Sequence, residues 1–181
     1  MFTNKSQVYK CKVAAFEDTK SAQLGSYLAT DLEMDPDESV IWAIDPEDYK
    51  ADVLFVFENG RAVRVALAGY VTKTNRKRLK NAIYGGSKLL YAQVLKEDRD
   101  IALVSSDYRL MNFNTALLKT KTTTSTQGVQ AFTAKKGRIV TSVSTTEEVL
   151  GAGVSAEKFT AQALPCAGAL MKEDDMPSLF D

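Results

Sequence analysis

The sequence predicts an all-β fold made of about three repeated units, each with several strands. Residues 53–57 form a short apolar run rich in β-branched and aromatic side chains. Asn59 and Gly60 follow, and this pair is a strong hairpin signal because both residues tolerate positive φ. Residues 61–65 then alternate basic and apolar side chains, as a strand with one buried face does. The same order of elements recurs in the chain, which indicates a repeat architecture.

The clearest copy spans residues 51–95 and sets the pattern for the others. After its hairpin come a basic connection, residues 73–80, the double glycine Gly85 and Gly86, and a closing strand near residues 89–94. We expect this closing strand because the run is apolar and follows a double glycine, which interrupts regular structure.

Another copy overlays residues 51–95 at a constant shift along the chain. Asn59 falls on Asp107 and Arg61 on Arg109; Gly128 follows, and the apolar run 138–143 closes the copy. This copy covers residues 96–143.

A further copy opens the chain at residues 1–50, so that in chain order the first, second and third copies are residues 1–50, 51–95 and 96–143. Phe2 is matched to Phe57, Gly25 takes the glycine position, and residues 40–44 supply the closing strand. Repeats of this length with several strands each indicate propeller-type blades. The repeats stop at residue 143, and residues 144–181 form a C-terminal extension with an acidic tail.

The repeated order of apolar strand, Asn-Gly-Arg turn, alternating strand, basic stretch, glycine and apolar strand resembles a known family. It is similar to the C-terminal β-pinwheel domain of the A subunits of DNA gyrase and topoisomerase IV. The resemblance covers about residues 1–143. It implies a partial β-pinwheel of about three four-stranded blades, with a short irregular or helical C-terminal tail.

Charge is distributed unevenly along a chain whose formal net charge is zero. Residues 1–50 carry a net charge of −5, residues 51–95 carry +6, residues 96–143 carry +4, and residues 144–181 carry −5. A polyanion responds to this distribution and not to the total. The basic centre therefore predicts salt-sensitive, sequence-independent contact with nucleic-acid phosphates.

The resemblance implies that the outer edge of the pinwheel binds duplex DNA without catalysing a reaction. The other implied partners are the remaining domains and subunits of a type II topoisomerase. In residues 118–127, lysines and hydroxyl side chains suit phosphate contacts, and a plain solvated loop fits equally well. The predicted DNA-binding residues are Arg61, Arg64, Lys73, Arg76, Lys77, Arg78, Lys80, Lys88, Arg109, Lys119 and Lys121.

Several classes of chemistry have no support in the sequence. The chain has no histidine, which removes the usual nucleophile arrangements and zinc sites. Phosphate-binding and dinucleotide-binding glycine motifs are also missing. The carboxylates of residues 31–50 are interpreted as solvated, proline-bearing turns, and Cys11 and Cys166 as free thiols. We therefore predict no catalytic residue, no metal and no cofactor.

Three further expectations concern location and partners. No apolar run is long enough to cross a bilayer, and the start has no secretory pattern, so a cytoplasmic, nucleoid-associated protein is expected. Leu179 and Phe180 loosely resemble the end of a sliding-clamp peptide, although an ordinary acidic tail is favoured. The alternative to DNA binding is a propeller-like protein-interaction module.

The last expectation concerns the open edge of the first copy. Met1 falls where the first strand should be ending, so we expect the chain to be part of a larger subunit. The edge left open could be covered by a strand from residues 159–164, which alternate apolar and polar side chains, or by a second chain. The first arrangement is favoured.

Overall fold

The computed structural model describes residues 1–72, 77–133, 135, 137–151 and 153–177. Thirteen strands account for most of the regular structure within these ranges. They are β1 (Phe2–Thr3), β2 (Val8–Tyr9), β3 (Val40–Trp42), β4 (Asp52–Phe57), β5 (Arg61–Ala66), β6 (Arg78–Leu79), β7 (Leu89–Leu95), β8 (Asp100–Ser105), β9 (Arg109–Asn114), β10 (Val129–Gln130), β11 (Val140–Ser144), β12 (Thr160–Ala161) and β13 (Ala169–Leu170).

Short helices connect the strands. The α-helices α1 (Leu28–Asp31) and α2 (Thr146–Val149) have four residues each. In the same described ranges, five 3-10 helices lie at Val13–Ala15, Leu67–Tyr70, Thr115–Leu117, Ala156–Phe159 and Glu173–Asp175. No helix of the described residues is long and apolar enough to cross a membrane.

The described strands form three sheets, and each sheet is built around one hairpin of the repeat. The orders are β3-β1-β2-β6, β10-β5-β4-β7 and β11-β8-β9-β12, with β13 also paired to β9. The hairpin strands lie at the centre, and the closing strand (β3, β7 or β11) lies at one edge. This confirms the all-β fold and the three sheets that the repeat predicts.

The strand at the other edge of each sheet comes from the next part of the chain, which the repeat pattern does not predict. β6 belongs to the 51–95 repeat but completes the first sheet, and β10 belongs to the 96–143 repeat but completes the second. We call β6, β10 and the β12–β13 pair the fourth strands. The division of the chain into repeats and extension at residue 143 stays a prediction, and β11 (Val140–Ser144) extends across this boundary.

The three hairpins share one turn geometry. Ser6, Gly60 and Tyr108 all have positive φ, at 57°, 78° and 57°, and each donates its N–H to the carbonyl three residues earlier. Gly60 therefore matches Ser6, which corrects the overlay of the first copy by one residue. Phe2 occupies the place of Val56 and not that of Phe57. A shift of one residue would turn every side chain to the opposite face.

The glycine match also needs correction. Val129 pairs with Ala62, and Leu79 pairs with the equivalent residue Val8, so Gly128 corresponds to Arg78, which itself pairs with Tyr9. Gly85 and Gly86 lie further along, before β7, so they are not the counterparts of Gly128.

Two apolar layers between neighbouring sheets hold the structure together. Phe2 and Val8 of the first sheet pack with Phe55 and Val65 of the second. Leu54 of the second sheet packs with Leu103 of the third. Burying a large apolar side chain contributes about 1.5–3 kcal/mol. These layers are therefore the main source of stability.

The closing strands lie next to one another, which defines the inner and the outer edge of each sheet. β7 contacts both β3 and β11. Trp42 of β3 and Tyr91 of β7 meet edge to face with ring centroids 5.6 Å apart. Because adjacent strands are about 4.8 Å apart, each fourth strand lies about 14 Å from its closing strand. The fourth strands therefore form the outer perimeter.

The C-terminal extension completes the third sheet. Ala161 pairs in parallel with Phe113, and Ala169 pairs antiparallel with Leu110. Of the predicted strand 159–164, only Thr160–Ala161 is a strand, and because it pairs with the third sheet the prediction that it covers the first copy was wrong. β1 is paired on both sides, with β2 and β3. Among the described strands, the first sheet therefore has no open hairpin edge for the extension to fill.

The extension pairs with the third sheet in the same way as the connection of the third repeat pairs with the second sheet. Lys121 forms a parallel bridge with Val65, and residues 129–130 then return antiparallel along the same strand β5. The extension repeats this path along β9, first in parallel at Ala161 and then antiparallel at Ala169. Its apolar side chains Phe159 and Met171 cover the outward face of the third sheet.

Candidate nucleic-acid interface

The outer edge of the first sheet carries part of the predicted basic cluster. Lys77 and Lys80 flank the residues of β6, and both are exposed. The predicted residues Lys73 and Arg76 lie outside the described residues. Neither amine forms an ion pair with a described residue, and the charge of Lys80 contributes to lowering the pKa of Asp35.

Arg78, between these lysines, is engaged within the protein. Its guanidinium forms an ion pair with Asp35 and donates to the side-chain oxygen of Gln7 at 2.5 Å. It also lies over the ring of Tyr9, 5.7 Å from the centroid. Hydrogen bonds from Gln7 and then Arg78 hold the pKa of Asp35 below its usual value. Arg78 therefore anchors the acidic turn to β6.

Behind this contact lies a buried carboxylate that further fixes the same turn. Glu38 is 8% exposed and accepts hydrogen bonds from the hydroxyls of Thr3 at 2.5 Å and Tyr9 at 2.8 Å. Burial and the bond to Glu38 raise the pKa of Tyr9 to about 12. The acidic turn is thus part of the packed structure, and its carboxylates are not all solvated as the sequence analysis interpreted them.

Arg64 also serves the fold. Its Nε donates to Asp52 at 2.6 Å and its Nη1 to Asp98 at 2.5 Å. Only 17% of its side chain is exposed. Carboxylates thus already occupy Nε and Nη1 of its guanidinium, so Arg64 is a poor phosphate ligand.

Arg61 and Arg109 hold equivalent positions at the start of the second hairpin strand and do the same work. Arg61 donates to the carbonyl of Gly128 at 3.4 Å, and Arg109 donates to that of Gly168 at 2.9 Å. Each glycine stands directly before a fourth strand. The two arginines therefore fasten the exchanged strands, which the repeat alone did not reveal.

Lys119 and Lys121 lie on the path that leads to the outer edge of the second sheet. Lys121 exchanges backbone hydrogen bonds with β5, accepting from Ala66 and donating to Arg64, and its side chain is exposed. Lys119 is exposed as well. Lys88 is exposed beside the Asn59 turn, at a different place on this sheet. The structure therefore divides the described members of the predicted set into engaged arginines and exposed lysines.

The outer edge of the third sheet has the opposite character. Glu157, Glu173 and Asp174 are exposed on the extension that completes it. Lys158, one of its two lysines, is paired with Asp175 at 2.8 Å. The basic part of the perimeter therefore belongs to the first two sheets and ends at the third.

Lys135 is one exposed cation that the sequence analysis left out. It follows β10 in the basic run 135–138, and this run of basic residues could have identified Lys135 from the sequence. Arg138, in the same run, is paired with Asp107 at 2.5 Å and is 7% exposed. Of the two described cations of this run, Lys135 is therefore the one that faces solvent.

No group of three acidic or cysteine side chains in the described ranges is arranged to hold a metal ion. Cys11 is exposed and Cys166 half-buried, and neither forms a disulfide. The polar cluster around Glu38 is joined by hydrogen bonds from Thr3, Tyr9 and the backbone of Asp35. The exposed lysines of the first two sheets offer positive charge for an anionic partner.

Three stacked sheets with exchanged outer strands define a β-pinwheel, as the sequence resemblance implies. Solved structures with this fold are similar to the chain. The C-terminal domain of DNA topoisomerase IV superposes with a TM-score of 0.69 at 23% identity, over 83% of this chain and 49% of that one. The resemblance in fold to the C-terminal domains of topoisomerase A subunits is thereby confirmed.

Two further structures agree. The C-terminal domain of DNA gyrase A gives a TM-score of 0.61 at 15% identity, over 97% of this chain and 61% of that one. The E. coli ParC C-terminal domain gives 0.71 at 12% identity, over 95% of this chain and 75% of that one. No family model and no curated protein matches the sequence. The chain spans about half the length of the topoisomerase IV domain.

Proposed function

We propose that the chain is a non-catalytic module that binds the backbone of duplex DNA along the outer edges of its first two sheets. It would act as part of a type II topoisomerase A subunit and support changes in DNA topology. The fold shared with the C-terminal domains of topoisomerase IV and gyrase A supports the assignment to this class.

The observation that carries the proposal is the separation of the predicted cations by role. Among the described residues, none of the exposed lysines in the predicted set forms an ion pair. Free lysine amines bind phosphates through charge and release counterions. The proposed DNA ligands on the outer edges are Lys77, Lys80, Lys119 and Lys121, and Lys88 is a further ligand beside the Asn59 turn.

The fourth strands also explain why such contacts would follow a curved path. They form the outer perimeter of stacked sheets, and because propeller-type blades are arranged radially, we expect lysines on successive sheets to face outward in different directions. DNA that touches both edges must bend, at a cost of about 1–6 kcal/mol for a short site. Several phosphate contacts offset this cost only when they act together.

The test is a fluorescence-anisotropy titration of a labelled random-sequence duplex at two salt concentrations. We expect weak binding that is insensitive to base sequence and falls steeply as salt rises. The variant Lys119→Glu with Lys121→Glu should lose most of the affinity. A matched control, Lys158→Glu with Lys172→Glu on the acidic third edge, should change it little.

The sliding-clamp contact at Leu179 and Phe180 lies outside the described residues and stays a prediction. The protein-interaction alternative is favoured by one observation, the exposed acidic edge formed by Glu157, Glu173 and Asp174. Failure of the chain to bind duplex DNA at low salt would support that alternative and contradict our proposal.

A further inference from the structure

The first sheet carries an arginine on its outermost strand, one strand further out than the second and third sheets do. In those two sheets an arginine at the start of the second hairpin strand donates to a glycine that precedes the fourth strand. In the first sheet the register places Gln7 at the arginine position and Arg78 at the glycine position. The guanidinium of Arg78 therefore lies on the outer perimeter.

Arg78 stands between two of the proposed DNA ligands. Lys77 and Lys80 are exposed on either side of it. Because a strand advances about 3.3 Å per residue, the backbone positions of these two lysines are about 10 Å apart. A phosphate backbone that contacts both lysines therefore also passes close to the guanidinium of Arg78.

The partner of Arg78 is a carboxylate that is partly open to solvent. The side chains of Arg78 and Asp35 are 25% and 41% exposed, whereas those of the Arg64–Asp52 pair are 17% and 16% exposed. Ion pairs that are partly exposed contribute little to stability, and more enclosed pairs cost more to break. The Arg78–Asp35 pair is therefore the easier of the two to exchange for another anion.

The turn that carries Asp35 has a second attachment that does not involve Arg78. This acidic turn, residues 31–39, is also held by the buried Glu38, which accepts hydrogen bonds from the hydroxyls of Thr3 and Tyr9. The side-chain amide of Gln7 donates to the Asp35 carboxylate at 2.9 Å. Release of Arg78 therefore leaves the turn in place and Asp35 with one hydrogen-bond donor.

Carboxylates and phosphates compete for the same donors of a guanidinium. Both are planar or forked anions that arginine binds through paired N–H groups. The hydrogen bonds from Gln7 and Arg78 hold the pKa of Asp35 below its usual value, and the charge of Lys80 adds to this effect. At neutral pH a negative charge therefore lies beside two cations of the first outer edge.

We propose that Asp35 competes with the DNA backbone for Arg78, so that the acidic turn weakens binding at the first outer edge. Arg78 becomes a phosphate ligand when DNA displaces the carboxylate. This competition rests on the proposed function, because it requires duplex DNA to lie along the outer edge of the first sheet.

The test is a double-mutant cycle on duplex affinity at low salt, measured by anisotropy with the full chain, Asp35→Asn, Arg78→Gln and the double variant. A partly exposed ion pair has a strength that corresponds to a factor of about five at most, so Asp35→Asn should bind about two- to fivefold more tightly. This gain should disappear in the Arg78→Gln background. In the Asp35→Asn background, Arg78→Gln should reduce the magnitude of the salt slope by about 0.9.

Asp37→Asn is the matched control, because it removes the same charge from the same turn. Asp37 is exposed, and its backbone carbonyl, not its carboxylate, accepts the hydrogen bond from Asn4. We expect a smaller change in affinity that is equal in both Arg78 backgrounds. Equal gains for Asp35→Asn and Asp37→Asn, or a gain for Asp35→Asn that persists with Arg78→Gln, would overturn the proposal.

The outcomes separate this competition from the proposed function. If the wild type binds duplex DNA and Asp35→Asn brings no gain, the competition is refuted and the proposed function stands. If neither protein binds, both are refuted. A purely structural Asp35 would make the variant less stable and a weaker DNA binder, whereas competition makes it less stable and a tighter binder.

A second measurement uses the wild-type chain and does not depend on how Asp35→Asn folds. The Nε–Hε signal of Arg78 is assigned in NMR spectra by its loss in Arg78→Lys. On addition of duplex DNA we expect this signal and the carboxyl carbon signal of Asp35 to shift, while the Nε–Hε signal of the enclosed Arg64 stays in place. Unmoved Arg78 and Asp35 signals at saturating duplex would overturn the proposal.

Discussion

The Nε of Arg64 donates to Asp52 at 2.6 Å, across the β4–β5 hairpin, and its Nη1 reaches Asp98 at 2.5 Å on the way to the third sheet. One arginine thus joins two repeats. Burial lowers the pKa of the Arg64 guanidinium, but the two carboxylates more than compensate and the net shift is upward. A residue that the charge pattern assigned to DNA is therefore a structural link.

Replacing Arg64 with alanine should destabilise the protein by about 1–3 kcal/mol, because Asp52 is only 16% exposed and loses its charged partner. The free energy of unfolding in urea measures this loss. DNA affinity at a temperature where the variant is folded should change less than for Lys121→Ala. A variant of unchanged stability and greatly weakened DNA binding would place Arg64 in the interface instead.

Gly128→Ala should be strongly destabilising. Its φ of 63° disfavours an L side chain, and a Cβ there would collide with the carbonyl of Ala62. We expect β10 to detach and the melting temperature to fall. Gly25→Ala is the matched control and should have little effect on stability, since no described atom lies within 4 Å of its Cβ. Equal melting temperatures for the two variants would contradict the strand exchange.

Phe159→Ala should cost about 3–5 kcal/mol, because the ring is 2% exposed in the cluster that closes the third sheet. Chemical denaturation measures the change. Leu170→Ala, on β13 but 54% exposed, is the control and should change stability little. If Phe159→Ala is as stable as the control, the extension is not part of the folded core.

Asp35 should give acid sensitivity. Its pKa is lowered by hydrogen bonds from Gln7 and Arg78, so its contribution to stability is present above the unfolded pKa of about 3.9. The contribution is lost as pH falls through the lower folded value. The melting temperature of the wild type should be higher than that of Asp35→Asn at pH 6, and the difference should shrink below pH 4. A difference that grows on acidification would contradict this assignment.

The sequence predicted those parts of the fold that depend on local chemistry. Asn59 and Gly60 marked a real turn, and the strand near residues 89–94 was found because seven residues suffice to show an apolar pattern. The turns at Ser6 and Tyr108 have the same geometry with side chains that rarely adopt positive φ. The overlay of the first copy was therefore misplaced by one residue.

The exchanged strands could not be read from the sequence. β6 and β10 have two residues each, which is too short for any period, and their partner strands belong to the preceding repeat. The same limit applied to the site. The partner of Arg78 is Asp35, which lies in another repeat, so nothing local distinguished Arg78 from the exposed Lys77.

The most direct measurement of the central claim is the salt dependence of duplex binding by the wild type and by a variant with Lys77, Lys80, Lys119 and Lys121 replaced by alanine. The slope of log K against log salt falls by about 0.9 for each phosphate contact removed. We predict that the variant keeps its fold and binds DNA much more weakly, and that the magnitude of its salt slope is smaller by about 3–4. An unchanged slope and affinity in the folded variant would contradict DNA binding along the outer edges of the first two sheets.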